Sequence, residues 1–491
     1  MLLLAGRLLS LLFTTATQVV LVRALSKSDY GVFAYAFTLV ASGRILLSLG
    51  QGQLLSRFMT KYEEERDFPR MFGSILLAVG TIFATSTVVL LAYTFFAGPL
   101  LGSSLDNPAA IKVLLILMFC APMQALDQVF VSIFAVFSKP TAIFFRKYIV
   151  TPLLQLIVVV AIWQLTNGDV FLLATGYVIT SFIGIAIYAV LLVRVLRERE
   201  ILYRFRLRRV VLPWKEVFAF SIPTMTTQLE FVITNMGTVV LLAAYGGPTD
   251  VAAYRAVFPA ARLNQVVYQT FVTMFLPMAA RLFSRGDHKG MRNSYWQTSV
   301  FLAVATFPIF IMTTVFAQTT TVTLFGSPYA ESGRVLAATA FGYYFSVTLG
   351  FNAYVLQVYG RLRFLVASNV GSLVVNMGLA FLLIPPFGAL GAAIAGGGTM
   401  VAQNVVNQIV LGRTLRGGGK GESFVRPYLT IAVVSVALSV FELAVHPGIV
   451  VALVITAVAS LAVLRFNRAA MRLASTFPEL LKIPLLGRFL A

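Results

Sequence analysis

Three arginines, Arg44, Arg255 and Arg262, stand inside runs that are otherwise apolar. A guanidinium stays charged in a poor dielectric and grips phosphate oxygens in a forked geometry, so cations placed there point to an anionic ligand, with phosphate or pyrophosphate foremost. Arg255 and Arg262 are seven residues apart, two turns along one helical face. Polar residues accompany them: Ser48 and Gln51 follow Arg44 at helical spacing, and Asn264, Gln265 and Gln269 surround Arg262. A further stripe runs through Arg7, Ser10, Thr14 and Thr17, with Gln18 beside it, and another through Thr226, Thr227, Glu230, Thr234 and Asn235. Together these residues describe a wet, cationic cavity with Thr14, Thr17, Gln18, Gln51, Thr227, Asn235, Asn264 and Gln265 in its wall. An intramembrane arginine can equally snorkel, pair with an acid or cap a helix end. Arg23, near the end of an apolar run, fits that description as well as a binding role.

Acids in apolar runs are costly too. Asp127 and Glu230 are candidates for ion coupling, either by exchanging a proton or by binding sodium. The alternative for each is a structural partner, an arginine or a hydrogen bond across helices. Glu442, close to His446, is expected in solvent.

The elements that must position these groups follow from composition. Hydrophobic residues make up 59% of the 491 and charged residues 11%, with mean hydropathy +0.88. A soluble domain could not hide that much apolar surface. Runs of roughly 20 apolar residues, the length that crosses a bilayer core, recur throughout. They are too long and continuous for a transmembrane barrel. The expectation is an all-α polytopic membrane protein with about fourteen spans.

The net charge of +20 is an orientation signal. Most of the 38 Lys and Arg fall in every second connection, including segments 57–70, 139–147, 194–215, 281–292 and 413–426. The positive-inside rule then places both termini in the cytoplasm of a multi-pass protein of the cytoplasmic membrane. This alternation argues against a nucleic-acid partner and for membrane lipids.

The chain also repeats itself. Residues 25–37, "LSKSDYGVFAYAF", align with 246–258, "GGPTDVAAYRAVF", so that Asp29 falls on Asp250, Phe33 on Tyr254 and Phe37 on Phe258, about 221 residues apart. Ala34 stands where the second copy has Arg255, and Ala41 where it has Arg262, with Arg44 three residues further along the same face. Six spans per copy, an even number, give two lobes inserted the same way round, related by an axis along the membrane normal. The expected organisation is a first lobe over 1–197, a basic linker over 198–213, a second lobe over 214–416, two extra spans over 417–466 and a basic interfacial tail over 467–491.

Other chemistry is excluded. "RGGGKGES" at 416–423 lacks the Ser or Thr after its lysine and the first glycine of a phosphate loop, so ATP does not drive this chain directly. Cys120 is the only cysteine and lies in an apolar run, and the two histidines, His288 and His446, fall in separate loops; no metal or other cofactor is expected. Met1 opens directly into the first apolar run, with no cleavable leader pattern. No outer loop is long enough for a catalytic domain, so the chain is not expected to be an enzyme.

"LVRALSKSDYGVFAYAFT" followed by "LLSLGQGQLLSRF" resembles the start of polysaccharide flippases of the Wzx type. "YGRLRFLVASNVGSLVVNMGLAFLLIPPFGALGAAIAGG", with Asn376, Gly388, Gly391, Ala392 and Ala393, is similar to their eleventh and twelfth spans. The resemblance implies the fold of the multidrug/oligosaccharidyl-lipid/polysaccharide exporter superfamily: two six-helix lobes, often with two further helices. It implies movement of a polyprenyl-diphosphate-linked oligosaccharide from the inner to the outer leaflet by alternating access. It also implies cavity roles for Arg44, Arg255 and Arg262, extending to Arg23, and other glycan-assembly membrane proteins as possible partners. The alternatives are a cation-coupled multidrug exporter of the same fold, a membrane glycan polymerase or ligase, and a scaffold docking such enzymes.

Overall fold

The computed structural model describes residues 2–101, 108–137, 141, 144–166, 168–198, 200–201, 203, 210–415 and 425–471. Among them the regular structure is helical, as lipid demands: with no water to satisfy backbone groups, a spanning segment must bond within itself. By packing the chain divides into unit 1, Met1–Ala252, and unit 2, Ala253–Ala491. The sequence expectation starts the second lobe at residue 214. That boundary follows the repeat, whereas the packing boundary follows which helices touch.

In chain order the first helices are α1 (Leu2–Ala24), α2 (Lys27–Leu47), α3 (Gln51–Glu64), α4 (Phe68–Leu101), α5 (Pro108–Met118) and α6 (Cys120–Val136). A π-helical turn over Phe144–Val150 leads into α7 (Thr151–Thr166), followed by α8 (Val170–Glu198) and α9 (Trp214–Ala261). Unit 2 continues with α10 (Leu263–Ser284), α11 (His288–Ala305), α12 (Phe307–Phe310), a π-helical turn over Ile311–Val315 and α13 (Ala317–Phe325). It ends with α14 (Ser332–Leu349), α15 (Phe351–Val358), α16 (Leu362–Thr414), α17 (Val425–Val445) and α18 (Ile449–Met471).

Nine helices among the described residues are long and apolar enough to cross a bilayer, or up to eleven if each bent pair is one span. The sequence expectation of about fourteen counts α16 as two passes, joins the last part of α9 to α10, and adds α1 and the α14–α15 pair. The two long helices, α9 and α16, are indeed interrupted, at Gly247 (φ 70°, ψ −170°) and Gly388 (φ 53°, ψ −129°). In α16 the halves run antiparallel: a Cβ on Gly391 would collide with the Leu383 carbonyl, Gln403 donates to Asn369 Oδ1 (2.9 Å), and the Ser368 hydroxyl donates to Asn407 Oδ1 (3.0 Å). Asn369, Gln403 and Asn407 thus serve as interhelical ties. Asn404 faces elsewhere, its backbone carbonyl accepting from Asn352 Nδ2 (3.1 Å).

The repeated turn is a helix start. Ser26 caps α2, its hydroxyl oxygen accepting from the Asp29 amide (3.1 Å) while its hydroxyl donates to the Asp29 carboxylate (2.6 Å). α2 ends at Leu47, ahead of Leu49 (φ 45°) and Gly50 (φ 74°), and the chain resumes as α3. At the far end of α3, the buried Tyr62 hydroxyl donates to Glu216 at the start of α9 (3.0 Å), and Lys61 Nζ lies 3.5 Å from the same carboxylate. The Tyr62 hydrogen bond, with the Lys61 charge behind it, holds the Glu216 carboxyl below its ordinary range, and burial pushes the Tyr62 phenol up to about 12.

Each unit has an aromatic core. The repeated pairs sit at nearly equal separations, Phe33 and Phe37 at 5.8 Å and Tyr254 and Phe258 at 5.7 Å between centroids. Each pair also meets a tyrosine from another helix: Tyr177 at 5.1 Å from Phe33, and Tyr343 at 6.1 Å from Phe258. The repeat therefore duplicates a packing device. The segments 416–424 and 472–491, and residues 199, 202 and 204–209 of the expected linker, lie outside the described residues.

Candidate functional site

The second copy of the aromatic pair carries the cations. Arg255, Phe258 and Arg262 follow at i, i+3 and i+7, so one face of α9 and the residue just beyond it align all three side chains. Phe258 has the Arg255 guanidinium over its ring at 5.2 Å and the Arg262 guanidinium at 5.4 Å. Arg262 also lies 5.9 Å from the Tyr343 ring centroid. Aromatic faces attract cations, and a stacked guanidinium keeps its N–H edges for other acceptors. The Arg262 Nε edge is engaged weakly, with Gln265 Oε1 at 3.3 Å.

Local backbone explains why Arg262 is presented. It is the break between α9 and α10, at φ −87° and ψ 0°, and it is exposed, whereas Arg255, two turns earlier, is half-buried. Asn264, two residues on, is 0% exposed, and neither its Oδ1 nor its Nδ2 has a hydrogen-bond partner among the described residues. Leaving a buried amide unpaired costs stability, so this position conflicts with folding for its own sake.

The remaining expected residues sit as follows. Arg44 lies exposed in the last turn of α2, in unit 1, so it belongs to a different unit from Arg255 and Arg262. Arg23 is exposed in the last turn of α1. Thr14 is exposed and Thr17 buried, each donating to the backbone carbonyl four residues back, at 2.7 and 2.8 Å. Gln18 Nε2 reaches the Tyr30 hydroxyl at 2.6 Å, tying α1 to α2. Asn235 donates to the Phe231 carbonyl (3.0 Å). The side chains of Gln51 and Thr227 lie outside the described residues.

The two acids differ. Asp127 forms an ion pair with Arg146, whose side chain is 6% exposed, stacks 4.4 Å from the Tyr188 ring and donates from Nε to the Gly184 carbonyl (3.2 Å). Any side chain at Gly184 would strike the guanidinium. Glu230 is half-buried and enters no ion pair among the described residues. Arg146 corrects the sequence reading, which placed it in a basic connection over 139–147. It is a buried cation in the π-helical turn ahead of α7. Glu442 is also a correction: its side chain is 15% exposed and faces His446 at 3.9 Å.

Comparison with known proteins gives these features a family. Residues 20–334 match the family model described as "Polysaccharide biosynthesis protein". The structure titled "Lipid II flippase MurJ, inward closed conformation" superposes with a TM-score of 0.73 at 14% identity, covering 96% of this chain and 100% of that one. An inward-facing multidrug resistance MATE family transporter of the MOP superfamily gives 0.69 at 13% identity, covering 84% and 96%. A point mutant of the Vibrio cholerae MATE transporter VcmN gives 0.54 at 16% identity, covering 85% and 95%. At these identities the likeness is one of fold. No curated relative matches by sequence.

Proposed function

Because the chain belongs to the polysaccharide biosynthesis protein family and folds as a multi-pass transporter of the MOP superfamily, we propose that it is a flippase for a polyprenyl-diphosphate-linked oligosaccharide. It carries this cargo from the inner to the outer leaflet of the cytoplasmic membrane by alternating access, with both termini in the cytoplasm. The observation that carries the anionic substrate is the pair of guanidiniums over Phe258. A diphosphate entering a low-dielectric interior loses its hydration, and two cations held by one ring offset much of that cost. Arg44 and Arg23 add further positive charge for the substrate. Thr14, Gln18, Gln51, Thr227, Asn235 and Gln265 supply hydrogen bonds to the wetted cavity, whereas Thr17 and Asn264 are buried in this structure.

An ion gradient resets the cycle. Glu230 suits that role better than Asp127, whose charge is already matched by Arg146. The substrate assignment is tested with Arg44→Gln and Arg262→Gln together. The expected outcome is loss of surface glycan and accumulation of the lipid-linked precursor on the inner leaflet, with the protein still present in the membrane at normal amount. Undiminished export by this double variant, at equal protein level, refutes the assignment.

A further inference from the structure

Unit 2 holds two adjoining cavities that the cation cluster does not use. One, of about 510 Å³, lies between α11, α12, α14 and α17 and is walled by Trp296, Phe310, Tyr344, Thr348, Tyr428 and Val436 among others. The other, of about 200 Å³, is lined by Arg292, Tyr295, Trp296, Gln408, Leu411 and Gly412 among others. Trp296 is common to both.

Their chemistries are opposite. In the larger cavity the polar tips turn away: the Tyr344 hydroxyl donates to the Ala303 carbonyl (2.9 Å) and the Tyr428 hydroxyl to the Thr348 carbonyl (3.1 Å). What remains facing the space is hydrocarbon and ring, including the Phe310–Tyr344 stack at 3.9 Å. The flank beside it bears Val433, Val436 and Val440, each more than 60% exposed, and so opens toward lipid. In the smaller cavity Arg292 brings a positive charge and Gln408 an amide fixed by the Tyr295 hydroxyl. Arg292 lies only about 6 Å along α11 from its start, while Trp296 to Phe310 covers roughly 20 Å of helical path, bent by 48° after Ala305.

A cationic pocket near the start of α11, sharing Trp296 with an apolar groove that opens on an exposed valine flank, is complementary to an anionic amphiphile. We propose that it holds a resident anionic phospholipid, headgroup phosphate on Arg292 and one acyl chain along the Trp296–Tyr344–Tyr428 groove. The opening toward lipid, and the position of Tyr344 on α14 next to but turned from Tyr343 of the cation cluster, favour a bilayer phospholipid over the transported chain.

The experiment uses Trp296 itself. The chain has three tryptophans, and Trp163 and Trp214 are exposed, so W163F/W214F leaves Trp296 as the one indole. The full-length variant is placed in phosphatidylcholine bilayers with rising fractions of chain-brominated phosphatidylglycerol or chain-brominated phosphatidylcholine. The anionic lipid is expected to reach half-maximal quenching at a mole fraction about fivefold lower. Arg292→Gln should abolish that preference while leaving quenching by the neutral lipid, Arg292→Lys should retain it, and Ala432→Phe, which fills the groove, should weaken quenching by both. Equal quenching by the two lipids, or a preference that survives Arg292→Gln, overturns the proposal. Relief of quenching by a few mole per cent of polyprenyl phosphate overturns it as well, because it assigns the groove to a prenyl chain.

Discussion

Arg146 and Asn264 show what single side chains contribute here beyond packing. Arg146 and Asp127 are withdrawn from solvent together, so removing either leaves a charge without its counterpart. Arg146→Gln should destabilise the protein by about 3–5 kcal/mol, read as a lowered melting temperature in detergent. Asp127→Asn in the same background should recover part of the loss. Asn264 predicts the opposite sign. Asn264→Leu removes an amide whose polar atoms are buried without partners among the described residues and should raise stability by about 1–3 kcal/mol. If the amide is kept for transport, glycan export by that variant falls while its melting temperature rises. Both positions were only partly legible in the sequence. The unusual acid at Asp127 asked for a cation, but its partner stood beside Lys147 and so read as one more basic turn. The glycine that admits the guanidinium, Gly184, is uninformative until the helices are packed.

At the scale of elements, the repeat was legible because a turn, an acid and an aromatic pair recur in order. That each aromatic pair meets a tyrosine from another helix was not, since Tyr177 and Tyr343 do not align in the repeat. The i, i+3, i+7 alignment of Arg255, Phe258 and Arg262 was present in the spacing, yet in the sequence Phe258 reads as part of the repeat and not as a platform for two guanidiniums. Breaks were harder still: the stop after Leu47 depends on two left-handed residues, and leucine at the first of them carries no turn signal. Gly388 is the plainer case, with a backbone geometry hostile to any side chain. Gly388→Ala should cost about 1–3 kcal/mol and loosen the hairpin tied by Asn369 and Gln403. The measurement is thermal unfolding set against Gly398→Ala in the same helix, where φ is ordinary and the added methyl meets nothing within 4 Å.

For the whole molecule, the all-helical membrane class followed from hydropathy, while the packing boundary at Ala252 did not, because the repeat says nothing about which helices touch. The tie between α3 and α9 is a case in point, joining residues 154 apart in sequence. The hydrogen bond and Lys61 depress the Glu216 carboxyl in the folded state, so the contribution is present above the ordinary glutamate range and fades as pH falls through the lowered folded value. Unfolding temperature measured from pH 7 down to pH 3 should therefore drop more for the native protein than for Glu216→Gln, and the two curves should converge at the acid end. On the proposed function, the Arg262 side chain that meets an incoming anion springs from the very point where the rod it belongs to is interrupted. A pull from bound cargo would then act on a joint between two helices, so gripping the load and yielding to it would fall to one residue.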